Sequence, residues 1–211
     1  MKITVAIRVA VAVAVLAASQ ASGRTAEKKI QTTKVQAKAD SPTSVLSFDY
    51  GGGTDGPYEA SVYLGGRNGR TLHIQGTQED DLIKVQGVGV PGLPFTVSIT
   101  DRNTGVDRLG NVGGFYYGDF DLVVIHGLAG NDRIENRYTW RPDMIYGGLG
   151  NDEILAGPLE SYLSGQEGDD TIHGGQGNDI IFGGINEDVL VGEGGCDIID
   201  GGPGDDRIGG G

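Results

Sequence analysis

The residues with the clearest chemical potential are aspartates that recur, mostly at nine-residue spacing, in the C-terminal part of the chain. Each stands at the sixth position of a glycine-rich unit such as GGQGNDIIF (174–182). Aspartate oxygens and the carbonyls of glycine turns are hard oxygen ligands, which suit Ca²⁺ and its about six to eight ligands better than the stricter octahedron of Mg²⁺. The candidate metal ligands are Asp132, Asp143, Asp152, Asp170, Asp179, Asp188, Asp197 and Asp206.

Other chemistry fits these residues less well. Zinc prefers His and Cys, but His73, His126 and His173 are scattered without ligand spacing, and Cys196 is the single cysteine. Neighbouring carboxylates such as Asp169 and Asp170 could serve acid–base catalysis, yet their place in the repeat favours metal turns. The chain contains no HExxH, GxSxG or GxxxxGK[ST] motif, so we expect no metalloprotease, lipase or nucleotide-binding activity.

The aspartates belong to a repeat that begins at Gly127. Residues 136–146 form a degenerate unit with two extra residues, residues 156–164 carry Ser161 in place of the aspartate, and residues 76–84 fit the frame loosely. The regular units are 127–135, 147–155, 165–173, 174–182, 183–191, 192–200 and 201–209.

The composition of the unit predicts six turn residues followed by a three-residue strand. Glycines at positions 1, 2 and 4 permit positive φ angles, and Asn186, which replaces one fourth-position glycine, is the next-best residue there. A branched aliphatic at position 8 points to one face of its strand, so stacked units should align these side chains into a narrow core. They are Ile134, Ile145, Ile154, Leu163, Ile172, Ile181, Leu190, Ile199 and Ile208.

Composition and charge support a thin, repetitive, cation-binding structure. Glycine accounts for 39 of 211 residues and the net charge is −13. Residues 45–211 carry nine Lys/Arg and 27 Asp/Glu, a balance that repels nucleic acid and anionic membranes. A core of nine aliphatic side chains is too small to offset chain ordering and stacked like charges. We therefore expect calcium-coupled folding.

The rest of the chain divides into three segments. Residues 1–21 are expected to be a signal peptide, because a basic start precedes the apolar run Val9–Ala18, which is too short to span a bilayer. Residues 22–44 are polar and predict a flexible linker. Residues 45–126 alternate in short runs between glycine-rich turns and predict β-rich structure, either a degenerate solenoid or a cap. No membrane span is expected after signal removal, and localisation should be extracellular or at the cell surface.

The units resemble the G-G-x-G-x-D-x-U-x nonapeptide of RTX (hemolysin-type) calcium-binding proteins. The resemblance implies an all-β fold, a right-handed parallel β-roll preceded by irregular β-rich coils, with two units per coil and Ca²⁺ between stacked turns. It implies a calcium-binding, non-enzymatic structural or surface protein; a stabilising module of a larger exported enzyme is the alternative, and a protein or glycan partner stays unassigned. One side would stack Asp132, Asp152, Asp170, Asp188 and Asp206, and the other Asp143, Ser161, Asp179 and Asp197.

Overall fold

The regular structure of the chain consists of β-strands, as a computed structural model shows for residues 60–65, 70–87, 94–109, 112–116 and 119–211. The predicted signal peptide and linker lie outside these residues. No helix among the described residues has the length and apolarity that a membrane crossing requires. The strands are β1 (Ser61–Gly65), β2 (Thr71–Gln75), β3 (Asp81–Gln86), β4 (Pro94–Asp101), β5 (Val112–Tyr116), β6 (Leu122–Ala129), β7 (Arg133–Glu135), β8 (Asp143–Leu149), β9 (Glu153–Leu155), β10 (Ser161–Glu167), β11 (Thr171–Gly175), β12 (Ile180–Ile185), β13 (Val189–Glu193), β14 (Ile198–Asp200) and β15 (Arg207–Gly209).

From β6 onward, successive strands alternate between two parallel sheets, which confirms the predicted β-roll. A seven-stranded sheet has the order β1-β2-β6-β8-β10-β12-β14, and an eight-stranded sheet has the order β15-β13-β11-β9-β7-β3-β4-β5. The register aligns equivalent repeat positions, since Leu163 pairs with both Ile145 and Ile181. Two nonapeptide units therefore make one coil, and the ten strands from β6 to β15 form five coils.

The segment before the repeats supplies one more coil and a set of edge strands. β2 pairs in parallel with β6, and β3 pairs in parallel with β7, with Ile83 opposite Ile134. β1, β4 and β5 are antiparallel and extend the two sheets at this end. Four of the short alternating runs expected in this segment, residues 61–64, 72–75, 82–85 and 95–100, lie in β1 to β4.

The position-8 side chains are buried in the core only where a neighbouring coil covers them. Seven of them, from Ile134 to Leu190, are fully buried, and larger side chains such as Phe95 and Phe120 enlarge the core near the first coils. Two expectations were wrong in the last coil: Ile199 is only partly buried, and Ile208 is 54% exposed. Strands β14 and β15 each pair with a single neighbour, so no described residue covers their far side.

The turns show why the repeat needs its fourth-position residue. Gly150 has φ 114°, and Asn186, at the same position of its unit, has φ 94°, as predicted for the residue that tolerates this region best after glycine. A Cβ at Gly204 would lie 2.6 Å from the carbonyl carbon of Asn186 in the coil before it. Successive turns are therefore in direct backbone contact, which places the carboxylates of adjacent coils close together.

Candidate metal centre: two ladders of turn aspartates

The sixth-position aspartates lie at the two edges of the solenoid, where the chain passes between the sheets. We call the edge formed by residues 127–132 and their stacked equivalents the first side, and the opposite edge the second side. The structure places the predicted ligands accordingly. The first side holds Asp132, Asp152, Asp170, Asp188 and Asp206, and the second side holds Asp143, Asp179 and Asp197, with Ser161 between the first two.

Apart from Asp143, the ladder carboxylates reach back to the coil before them. On the first side, Oδ1 of Asp152, Asp170 and Asp188 accepts a hydrogen bond from the backbone N–H of the preceding ladder aspartate, at 2.8, 2.8 and 2.9 Å. On the second side, Asp179 accepts in the same way from Ser161 at 2.8 Å. These bonds hold one oxygen of each of these four carboxylates at a fixed place between stacked turns.

The second oxygen of these carboxylates has no such partner. Oδ2 is buried and receives no hydrogen bond from the described residues in Asp132, Asp152, Asp170, Asp179 and Asp188. An unpaired buried carboxylate oxygen is costly in a folded protein. This row of unpaired oxygens is the feature of the structure that a bound cation would neutralise.

Turn carbonyls lie beside the unpaired oxygens. A Cβ built on Gly174 would lie 2.5 Å from Asp179 Oδ2 and 2.8 Å from the carbonyl oxygen of Gly192 in the next coil. A Cβ built on Gly165 would overlap Asp170 Oδ2 and lie 2.6 Å from the Gly183 carbonyl. First-position glycine thus leaves space at points where a carboxylate oxygen and a carbonyl oxygen converge.

The electrostatics of the first side show the same need for a positive charge. Burial, the largest cause, raises the pKa of Asp132 to about 7, of Asp152 to about 8 and of Asp170 to about 7. The hydrogen bond from the neighbouring backbone opposes this shift, while the nearest aspartates add to it. On the second side, burial raises the pKa of Asp179 to about 6. A bound cation would restore the ionised form.

The donor set fits calcium. No group of three or more His, Cys, Asp or Glu side chains comes together anywhere in the described part of the chain, and the oxygens that lie beside the ladder carboxylates are those of turn carbonyls. Carboxylate and carbonyl oxygens suit Ca²⁺. The histidines lie elsewhere: His73 stacks on Tyr63, His126 stacks on Tyr146, and His173 contacts Glu193.

Asp143 differs from the other predicted ligands. Its Oδ2 accepts a hydrogen bond from Asn136 Nδ2 at 2.7 Å and a longer one from the backbone N–H of Gly157 at 3.3 Å. Asn136 is itself held by the hydroxyl of Thr139, which donates to Asn136 Oδ1 at 2.9 Å. Asn136, which stands at position 1 of the degenerate unit in place of glycine, therefore puts an amide donor on a carboxylate that the sequence offered as a metal ligand.

Sequence reasoning missed one ladder residue and one whole ladder. Asp81 is fully buried and donates its backbone N–H to Asp132 Oδ1 at 2.7 Å, so it begins the first-side ladder. Its signal was the loosely matching unit at residues 76–84. Position 5 forms a second, outer ladder. Asn131 Oδ1 accepts a hydrogen bond from the backbone N–H of Asn151, and Asn151 Oδ1 accepts one from the backbone N–H of Asp169.

Comparison with known proteins agrees with this geometry. The family model for the RTX calcium-binding nonapeptide repeat matches in four copies, at residues 117–135, 141–158, 162–190 and 182–211. No curated protein and no solved structure matched the chain. RTX nonapeptide repeats bind Ca²⁺, and the resemblance seen in the sequence is confirmed for residues 117–211, where the chain matches the RTX, or hemolysin-type, calcium-binding nonapeptide repeat.

Proposed function

We propose that this chain is an exported protein whose C-terminal solenoid folds when calcium occupies the interfaces between stacked turns. The single observation that carries the proposal is the row of buried, unpaired Oδ2 atoms, each facing a glycine carbonyl of the next coil. The calcium ion would supply the positive charge that these oxygens lack, and each bound ion would join two coils.

The ligands we propose are the ladder carboxylates that have no protein donor on Oδ2, together with the first-position carbonyls opposite them. Asp206 and Asp197 stand at the same repeat position in the last coil. Their Oδ1 atoms accept hydrogen bonds from the backbone N–H groups of Asp188 and Asp179, both at 3.0 Å, as in the other stacked turns. The proposed ligands are Asp132, Asp152, Asp170, Asp188 and Asp206 on the first side and Asp179 and Asp197 on the second.

The role we propose is structural and extracellular. Repeat regions of this fold are typically non-catalytic and are typical of secreted proteins. The apolar run near the N-terminus of the sequence supports export through a signal peptide. Calcium at extracellular concentration would then act as the folding signal, because sites of this class bind at about 10⁻⁴–10⁻³ M.

A calcium titration followed by far-ultraviolet circular dichroism tests the proposal. In chelator, residues 147–211 should lack ordered β structure, and added Ca²⁺ should restore it cooperatively, because metal binding and folding are one equilibrium. Magnesium at equal concentration is the control and should be far less effective. A spectrum that is the same in chelator and in excess calcium would exclude calcium-coupled folding.

A further inference from the structure

The aspartate that begins the first-side ladder is paired by the protein itself. Asp81 Oδ1 lies 2.7 Å from Nε of Arg108. Its Oδ2 accepts hydrogen bonds from the backbone N–H of Thr77 at 2.6 Å and from the Thr77 hydroxyl at 2.8 Å. Asp81 therefore has an ion-pair contact on Oδ1 and two hydrogen bonds on Oδ2. In contrast, the buried Oδ2 atoms of Asp132, Asp152 and Asp170 receive no hydrogen bond from the described residues.

The guanidinium of Arg108 is fixed beside Asp81 by further contacts. Its guanidinium also contacts Glu79 Oε2 at 2.8 Å and Asp101 Oδ2 at 3.2 Å, and its side chain is only 20% exposed. It follows β4, and its backbone N–H donates to Ile99 O at 2.8 Å. The antiparallel extension of the sheet thus places a guanidinium where the ladder begins.

Thr77 supplies the other donors to the Asp81 carboxylate. It occupies position 2 of the unit 76–84, and no other first-side turn carries a hydroxyl residue at that position. The Gly127 carbonyl still approaches the space beside Gly76, 2.6 Å from a Cβ built there. The leading turn therefore keeps the carbonyl of a calcium turn, but protein donors occupy Oδ2 of its carboxylate and a guanidinium faces Oδ1.

From this contrast we infer that Arg108 and Thr77 take the place of calcium at the Asp81 turn. The leading coil, β2 and β3, is then assembled without metal and provides the surface on which the calcium-dependent coils stack. Calcium binding on the first side begins at the turn of Asp132. The inference rests on the proposed function, since it assigns which turns of the same ladder take the ion.

The second side has an equivalent arrangement at the same end. Asn136 Nδ2 donates to Asp143 Oδ2, so a neutral amide from the degenerate unit caps that ladder. A nitrogen donor of the chain therefore reaches the first carboxylate of both ladders, although Asp143 keeps an unpaired Oδ1. On the first side, the metal-independent turn precedes the metal-dependent turns along the solenoid axis.

Hydrogen–deuterium exchange of the full chain, in chelator and in calcium, tests the inference. In chelator, amides of β2, β3 and β4 should exchange at least tenfold more slowly than those of β10 to β13. In the Arg108→Gln variant, these amides should lose their protection in chelator and should be protected again in calcium. Arg102→Gln is the matched control, because Arg102 lies in the same connection and donates to Asn131 O rather than to Asp81; it should behave as wild type.

Calcium counting provides a second readout. The double variant Thr77→Gly with Arg108→Gln restores the glycine pair of a regular unit and should bind one more Ca²⁺ per chain than wild type. An unchanged count would overturn the inference, as would a wild-type protein whose leading coil needs calcium as much as β10 to β13. If instead no part of the wild-type chain responded to calcium, the proposed function itself would fail, and the two failures are thus distinguishable.

Discussion

Asp152 donates its backbone N–H to Oδ1 of Asp170 at 2.8 Å, while Oδ2 of Asp170 receives no hydrogen bond from any described residue. The two oxygens of one carboxylate therefore have different tasks. One fixes the stacking of adjacent coils, and the other is left for a cation between turns. The same division recurs in Asp152 and Asp188 along the first side.

Asp170→Asn should weaken calcium-induced folding. The amide keeps the shape of the side chain and can still accept the backbone hydrogen bond, but it removes a charge from the middle of the ladder. Losing a charged interaction at a buried site costs roughly 1–3 kcal/mol, so the calcium midpoint should rise clearly in a circular dichroism titration. Asp169→Asn is the control, because that neighbouring carboxylate is exposed; equal midpoints for the two variants would contradict the ladder assignment.

Asp143→Ala should change the calcium midpoint much less than Asp170→Ala. Asn136 already donates to Asp143, and Ser161 stands opposite it in place of an aspartate. The variant should lower stability in calcium, since Asn136 loses its buried acceptor, while leaving the calcium dependence of folding nearly as in wild type. Urea unfolding at saturating calcium and a calcium titration separate these two effects. A midpoint shifted as far as that of Asp170→Ala would show that Asp143 is a ligand.

Two isoleucines at the same repeat position should differ strongly in their contribution to stability. Ile172 is fully buried, whereas Ile208 is 54% exposed. Ile172→Ala should cost about 2–5 kcal/mol, the range for truncating a buried aliphatic side chain. Ile208→Ala should stay within about 0.5 kcal/mol of wild type, as for exposed positions. Denaturant unfolding in saturating calcium measures both, and equal losses would contradict the burial of only one of them.

The metal-free fold should become more stable on acidification, whereas a protein that undergoes acid denaturation becomes less stable. Burial raises the pKa of Asp132, Asp152 and Asp170 to about 7, 8 and 7 in the folded state, whereas an unfolded carboxyl titrates near about 3.9. Between these values the folded state binds more protons than the unfolded state. Stability of the metal-free fold is therefore fully present below about pH 4 and is lost as the pH rises through the folded values.

Calcium-stripped protein should thus gain β structure on acidification from about pH 8 to pH 5, as followed by circular dichroism. Calcium-loaded protein should show the reverse trend, because protons compete with the ion for the same oxygens. A spectrum of the stripped protein that does not change over this range would mean that the carboxylates do not limit folding. Asp170→Asn should reduce the acid-induced gain of β structure, because the variant lacks one of the carboxyl groups whose pKa is raised by folding.

Much of the fold could be predicted because the repeat is a local signal. The spacing from Ile172 to Leu190 is two units, and the register pairs these two residues across adjacent strands. A turn of six residues and a strand of three can stack only when equivalent positions align, so the ladder order followed once two units were assigned to each coil. Ile208 was beyond this reasoning, because its burial depends on a neighbouring coil and not on its own unit.

What the sequence by itself determined is the set of repeat-position aspartates and their order, from Asp132 to Asp206, since residue type and period are both local properties. Only the tertiary structure decided which carboxylates keep an unpaired oxygen. Arg108 is 27 residues beyond Asp81 in the sequence, and no periodicity relates them; an antiparallel extension of the sheet brings them together. Pairing across such a distance is set by how strands pack, and for that reason the end of the ladder could be recognised only in the folded chain.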